Sequence, residues 1–458
     1  MTFSLFLAVL ALSGLSYWLG SRQAAAFRAN GGRLHSLPSY HGTYLALLSG
    51  LPAIFMLLVW ISFEEALIRQ FVIAGLPDPF GQLHAGELAL LMTDVRNMAA
   101  GAVPLDVSRP HIIAAVDHYN RLKLISDVMS WVVVLAIGAA GLLLARRKLA
   151  PNFRARNSVE RIFDVILICS STLAILTTIG IVLSLVFEAL RFFARVHPFD
   201  FLFGLTWSPQ TAIRAEQVGA SGAFGAVPLI VGTLLISVIA MLVAVPVGLM
   251  AAIYMSEFMQ ARVRAVVKPV IEILAGIPTV VYGFFAALTV APLVRDLGEA
   301  LGLAVASQSA LAAGVVMGIM IIPFVSSLSD DVISAVPQSL REGSYGLGAT
   351  QAETIRLVLL PAALPGIVAS VILAFSRALG ETMIVVMAAG LAANLTINPL
   401  DAVTTVTVHI AALLVGDQEF DSAKTLSAFG LGLLLFVVTL GLNIIALRVV
   451  KKYREQYE

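Results

Sequence analysis

The sequence is short of charge, lysine and cysteine. Only 12% of its 458 residues are charged, where soluble domains carry about 25%. A soluble globular chain is therefore excluded, because the 59% hydrophobic content exceeds what such a core uses. The few lysines, Lys123, Lys148, Lys268, Lys424, Lys451 and Lys452, are never preceded by glycine. No GxxxxGK[ST] loop exists, so the chain does not cradle and split ATP in that way. The seven histidines are scattered, without HExxH or similar metal-ligand spacing. They read as loop or interfacial residues, and neither a metal nor a cofactor is expected. No GxSxG elbow supports a Ser-His-Asp arrangement. The lone cysteine, Cys169, lies in an apolar run. It forms no internal disulfide and builds no thiolate metal site. A net charge of +1 gives no sign of a nucleic-acid partner.

What the chain has instead is length in apolar runs. Mean hydropathy is +0.93. A bilayer admits only helices or closed barrels, and runs of about 20 residues without alternation read as helices. Nine spans are expected near 2–20, 43–62, 127–145, 162–188, 226–255, 270–294, 310–328, 362–389 and 425–447. The first has no Lys or Arg before its apolar run, so it reads as an anchoring span and not a signal peptide. Basic residues set the orientation. Arg22, Arg28 and Arg33, then the run Arg146 to Arg161, then Arg262, Arg264 and Lys268, and the tail with Lys451, Lys452 and Arg454 are assigned inside. The acid-richer stretches 63–126 and 390–424 go outside. The N-terminus is expected outside and the C-terminus in the cytoplasm.

The basic linker near 146–161 separates two parts. Residues 1–150 form a membrane extension of three spans, with an external segment 63–126 too long for a bare loop. In "SRPHIIAAVDHYNRLKLI", Ser108 is placed to cap a helix and Pro110 suits its first turn. Ile112, Ile113, Val116 and Tyr119 recur at helical spacing. Residues 151–458 hold six spans and a cytoplasmic segment, 329–361. That segment reads as helix, glycine break, helix, proline stop. Val332, Ile333 and Val336 give an apolar face, Pro337 opens a second helix with Leu340, Arg341 and Glu342, and Gly346 and Gly348 break it.

Its spacing is Glu342, Gly343, Ser344, three residues, Gly348, nine residues, then Val358, Leu359, Leu360 and Pro361. This resembles the E-A-A-x3-G-x9-I-x-L-P signature of ABC importer permeases. Small Gly343 and Ser344 replace the alanines, and Val358 replaces the isoleucine. "LAGIPTVVYGFF" from Leu274, the stretch Gly222 to Phe258, and "RALGETMIVVMAAG" from Arg377 are similar to phosphate permeases of the PstC type, more than to their PstA partners. The resemblance covers roughly 200–458 and implies an all-α type I importer transmembrane fold of about six core helices, here preceded by about three more. It implies that Glu342, Gly343, Ser344, Gly348, Leu360 and Pro361 belong to a coupling segment docking on a separate ATP-binding subunit. It further implies a PstA-like second permease, an external phosphate-binding protein, phosphate as cargo and a bacterial inner membrane.

Arg377 and Glu381 lie inside an apolar stretch. Arg377 is twelve residues past Pro365, about 18 Å along a helix and near the middle of a core about 30 Å thick. An arginine there costs about 2.5–3.5 kcal/mol on insertion scales. At a spacing of four, both charges would share one helix face. One reading is a structural ion pair. The other is an anion path, in which the guanidinium offers paired donors to an oxyanion and Glu381 orients it. The resemblance implies the second. Glu272 reads as a partner for Lys268 four residues earlier. The competing functions are a permease for sulfate, molybdate or another oxyanion, an ion-coupled secondary transporter, and a non-transporting sensor.

Overall fold

The structure, a computed structural model, describes residues 2–29, 34–76, 85–101, 110–211, 221–415 and 421–454. Among them nine helical spans are long and apolar enough to cross a membrane, the number expected. The chain forms two compact units, Met1–Leu176 and Thr177–Glu458.

In the first unit three long helices pack together: α1 (Thr2–Ala29), α2 (Pro38–Ala74) and α4 (Pro110–Arg147), with α3 (Ala85–Ala99) between the last two in sequence. Lipid tails are as apolar as leucine, so such helices associate by close fit at small residues. A Cβ on Gly141 would strike the Leu48 carbonyl, and one on Gly42 would strike Ser21 Oγ. Beyond the apolar runs, Ile68, Val72, Met92, Val95, Ile112 and Val116 bury one another where α2, α3 and α4 meet. Lys123 Nζ and Ser126 Oγ both donate to Glu64 Oε1 at 2.7 Å. The segment 63–126 therefore has helical order to Ala74 in α2, over 85–99 and from Pro110 onward. Ser108 lies outside the described residues.

The second unit begins within α5 (Ala155–Phe193). After α6 (Pro198–Phe203), strands β1 (Trp207–Thr211) and β2 (Ser221–Phe224) pair antiparallel, with Trp207 opposite Phe224. Phe192, Phe201, Trp207 and Phe224 share a buried cluster with Leu229 and Val406. Then come α7 (Val227–Ile253), α8 (Ala261–Gly276), α9 (Thr279–Phe285), α10 (Ala291–Ala300) and α11 (Ala310–Ser334). Helices α7 and α11 form the centre. A Cβ on Gly314 would meet Ile239 and one on Gly318 would meet Val243, while one on Gly248 would meet Val325, so the pair runs parallel at close range.

Two expected spans are interrupted. The run 270–294 breaks at Ile277 and Pro278, between α8 and α9, because the residue before proline is pushed out of helical geometry. The run 362–389 is divided into α14 (Leu360–Leu379) and α15 (Met383–Ala388). Before α14 lie α12 (Gln338–Gly346) and α13 (Gln351–Thr354); after α15 come α16 (Val406–Leu414) and α17 (Ala423–Arg454). Among the described residues three five-residue π-turns occur, at Tyr254–Phe258, Ala286–Val290 and Ile355–Leu359.

Candidate functional site

Helix α14 ends at Leu379, with Gly380 as its C-cap. Arg377 is in its last turn. The guanidinium carbon lies 5.8 Å from the centre of the Phe324 ring on α11, within cation–π range. Phe324 is about 21 Å along α11 from its first residue and about 15 Å from its last, at 1.5 Å per residue. The cation is thus at mid-length of the central helix pair.

Glu381 is not on the same helix as Arg377. The Glu381 Oε1 atom accepts from the Met383 N–H at 3.0 Å and the Ile384 N–H at 3.3 Å. Among the described residues no ion pair joins Glu381 to Arg377. The expected i,i+4 pair is corrected here, and the reason is local. Gly380 releases the helix, and the carboxylate then satisfies amides at the start of α15 that have no intrahelical partner. The Glu381 carbonyl in turn accepts from Thr407 Oγ1 at 2.8 Å. One residue before Arg377, Ser376 Oγ donates to Asn443 Oδ1 on α17 at 3.3 Å.

The second group of residues lies between α12 and the start of α14. Glu342 and Gly343 are exposed on α12, and nothing would obstruct a Cβ on Gly343. Ser344 is buried, its Oγ 2.8 Å from Thr354 Oγ1. Gly348 has φ +86°, a conformation side chains other than glycine rarely adopt. This positive φ lets the chain leave α12 and turn into α13. Thr350 and Glu353 then form a reciprocal capping box that starts α13. Leu360 is half-buried at the start of α14, and Pro361 beside it is exposed. The π-turn Ile355–Leu359 runs straight into α14, so Pro361, which has no N–H to donate, sits just past the point where the wider turn gives way to the α-helix.

Sequence reasoning missed the polar contacts that hold this segment. The Arg341 side chain is 12% exposed and that of Glu257 6%, and their N–O distance is 3.1 Å. Arg341 also donates to the Val336 and Ile333 carbonyls, at 2.6 and 2.9 Å. Gln351 Nε2 donates to the Glu257 carbonyl at 2.6 Å. A glutamate ending an apolar span and an arginine eighty-odd residues later carry no spacing signal, so only the fold joins them.

Nearby, the fully buried carboxylate of Asp330 pairs with Arg264 at 2.7 Å and Lys268 at 2.9 Å. Lys268 also reaches Asp331 at 2.8 Å. Those two carboxylates, Asp331 first, hold the Lys268 ammonium above its ordinary value. The expected Lys268–Glu272 pair is therefore replaced. Glu272 accepts from Ser327 Oγ at 3.1 Å instead. Helix α8 lies along α11, and that neighbour supplies acids closer than the residue one turn away. Among the described residues no His, Cys, Asp and Glu cluster is suited to a metal.

Two family models match the chain. "Binding-protein-dependent transport system inner membrane component" covers residues 244–455, and "Phosphate ATP-binding cassette transporter" covers residues 6–177. The probable ABC transporter permease YqgH of Bacillus subtilis is 36% identical over 53% of this chain and 75% of that protein. The phosphate transport system permease PstC of Mesorhizobium japonicum is 35% identical over 53% and 75%. PstC 1 of Mycobacterium tuberculosis is 35% identical over 56% and 83%. Two solved structures are similar in part. A bacterial alginate ABC transporter is 17% identical over 64% of this chain and 96% of the other, with TM-score 0.44. An inward-facing MetNI methionine ABC transporter is 19% identical over 50% and 94%, with TM-score 0.37. On the extent and identity of the permease relatives, the chain belongs to the binding-protein-dependent ABC permease family, as a multi-pass membrane translocation subunit of the PstC type.

Proposed function

We propose that the chain carries phosphate across the membrane as one permease of an ATP-driven importer. Family membership implies separate ATP-binding subunits and an external substrate-binding protein. The second permease is PstA-like, and the external protein binds phosphate. The observation that carries the reading is the exposed α12 with Glu342 at its surface, followed by the Gly348 turn at the family spacing. Several relatives at about a third identity are named as phosphate permeases, which supports phosphate as cargo.

In this account Glu342, Gly343, Ser344, Gly348, Leu360 and Pro361 form or shape the ATPase docking surface. Arg377 meets the anion through its planar donors. Glu381 shapes the path beside it by holding the break between α14 and α15. The N-terminus lies outside and the C-terminus in the cytoplasm, in keeping with the distribution of Lys and Arg. The region after about residue 151 is the permease core, and the N-terminal helices are an addition to it.

The test is uptake of labelled phosphate by vesicles holding the purified complex, with ATP inside and binding protein outside. ATP-dependent uptake that excess sulfate leaves intact is expected. Equal competition by sulfate would make the cargo a broader class of oxyanion. Uptake by the chain without any ATPase would make it a secondary transporter.

A further inference from the structure

The charged pair Glu257–Arg341 is nearly buried at one end of α7, and the Thr233 hydroxyl is buried at the other. Neither belongs to the docking surface or to the anion contact. We infer that α7 is the connecting rod between the two, with Glu257 and Arg341 as its lower joint and Thr233 as its upper joint. The inference rests on the reading that α12 docks the ATPase.

The lower joint is built as a clamp. Arg341 is on α12, next to Glu342, but its guanidinium points inward. One nitrogen reaches the Val336 carbonyl at 2.6 Å. The other reaches Ile333 O at 2.9 Å and Glu257 Oε1 at 3.1 Å. Two of these acceptors belong to the end of α11 and the chain just after it, and the third to the π-turn that ends α7. Gln351, on the far side of the Gly348 turn, adds a bond to the Glu257 backbone. Ala252 also shares an apolar cluster with Ile355 and Leu359. Apolar contact is non-directional, whereas the guanidinium fixes register through its planar donors. Displacement of α12 is therefore passed to α7 and α11 together.

The upper joint is about 36 Å away along the helix axis. Thr233 Oγ1 donates to Leu229 O at 2.6 Å and accepts from the Val406 N–H at 3.0 Å, at the first turn of α16. One residue back, a Cβ on Gly232 would strike the Thr404 carbonyl, so the backbones touch. Thr405 and Thr407 exchange a hydroxyl contact at 3.0 Å, and Thr407 Oγ1 donates to Glu381 O at 2.8 Å. The contacts run without a gap from the docking helix to the helix break beside Arg377. All of these threonines are buried, so water does not replace their bonds. Glu257, Arg341, Thr233 and Thr407 are positioning residues. They touch neither ATP nor anion.

The experiment uses the whole complex in vesicles and measures ATP hydrolysed against labelled phosphate taken up. Glu257→Gln and Thr233→Val should each retain the ATPase and hydrolyse ATP. The ATP consumed per phosphate moved should rise about fivefold or more, the scale of an allosteric coupling. A merely structural role would lower hydrolysis and uptake together and leave the ratio at the wild-type value, and that result overturns the inference. Should Glu257→Gln fail to assemble, Thr233→Val decides alone, since it keeps the side-chain volume and removes only the hydroxyl. Gly348→Val serves as the control for the underlying reading. Normal ATPase retention and uptake in Gly348→Val defeats the docking surface itself. Loss of the ATPase in Gly348→Val, with an unchanged ratio in the other two, defeats only the rod.

Discussion

Arg377 faces an aromatic ring, and Glu381 gives its carboxylate to two backbone amides. Among the described residues the guanidinium makes no hydrogen bond or ion pair, and the side chain is exposed. Arg377→Gln should leave assembly intact, since glutamine keeps hydrogen-bonding ability and inserts more easily. Charge-assisted hydrogen bonds are worth about 1.5–3 kcal/mol, so uptake at low phosphate should drop about tenfold to a hundredfold, read as initial rate against phosphate concentration. Glu381→Gln should be milder in structure, because its carboxamide oxygen still caps α15. The doubly exchanged variant, Arg377→Glu with Glu381→Arg, should stay inactive, since an arginine at 381 cannot accept from the Met383 and Ile384 amides. Wild-type uptake in that variant would restore the simple ion-pair reading.

At the scale of elements, the close approach of α7 to the chain before α16 has its own test. A Cβ on Gly232 would meet the Thr404 carbonyl, which cannot swing away as a side chain could. Overpacking of this kind costs about 1–3 kcal/mol. Gly232→Ala should lower the thermal unfolding midpoint in detergent, whereas Gly343→Ala, with open space around it, should not. Much of this architecture is legible in the sequence. Nine apolar runs answer to nine spans among the described residues, and the glycine at 348 marks a turn with positive φ. The break after Leu379 was not legible. Hydropathy registers that Gly380, Glu381 and Thr382 interrupt an apolar stretch only briefly, and it does not register which amides a carboxylate will cap. Lys268 shows the same limit. Spacing points to Glu272, while the acids it meets are sixty residues on, brought near by the packing of α8 on α11. Because that lysine's folded value is raised, its contribution is complete below the ordinary lysine value. It fades only as pH rises through the higher folded one. The attachment of α8, followed by hydrogen exchange, should therefore be the same at pH 6 and pH 9, ordinary conditions below a lysine value of about 10.4.

Over the whole molecule, the first unit ends within α5, and α12 with its Gly348 turn, the helix break after Leu379 and α7 between them all lie in the second. In the first unit, the region where α2, α3 and α4 meet has its own buried cluster and its own Glu64–Lys123 pair. A chain beginning near Arg146 keeps α5 whole. It should still assemble with its partners and transport, in lower yield. Normal assembly without transport would make the N-terminal helices part of the mechanism. The central claim is that this chain moves phosphate only when α12 is driven by an ATPase and Arg377 is present to meet the anion. The most direct measurement follows labelled phosphate and ATP in the same vesicles, comparing the wild-type complex with Arg377→Gln. The account predicts ATP-dependent accumulation in the first and hydrolysis with little accumulation in the second. Equal accumulation in both would contradict it.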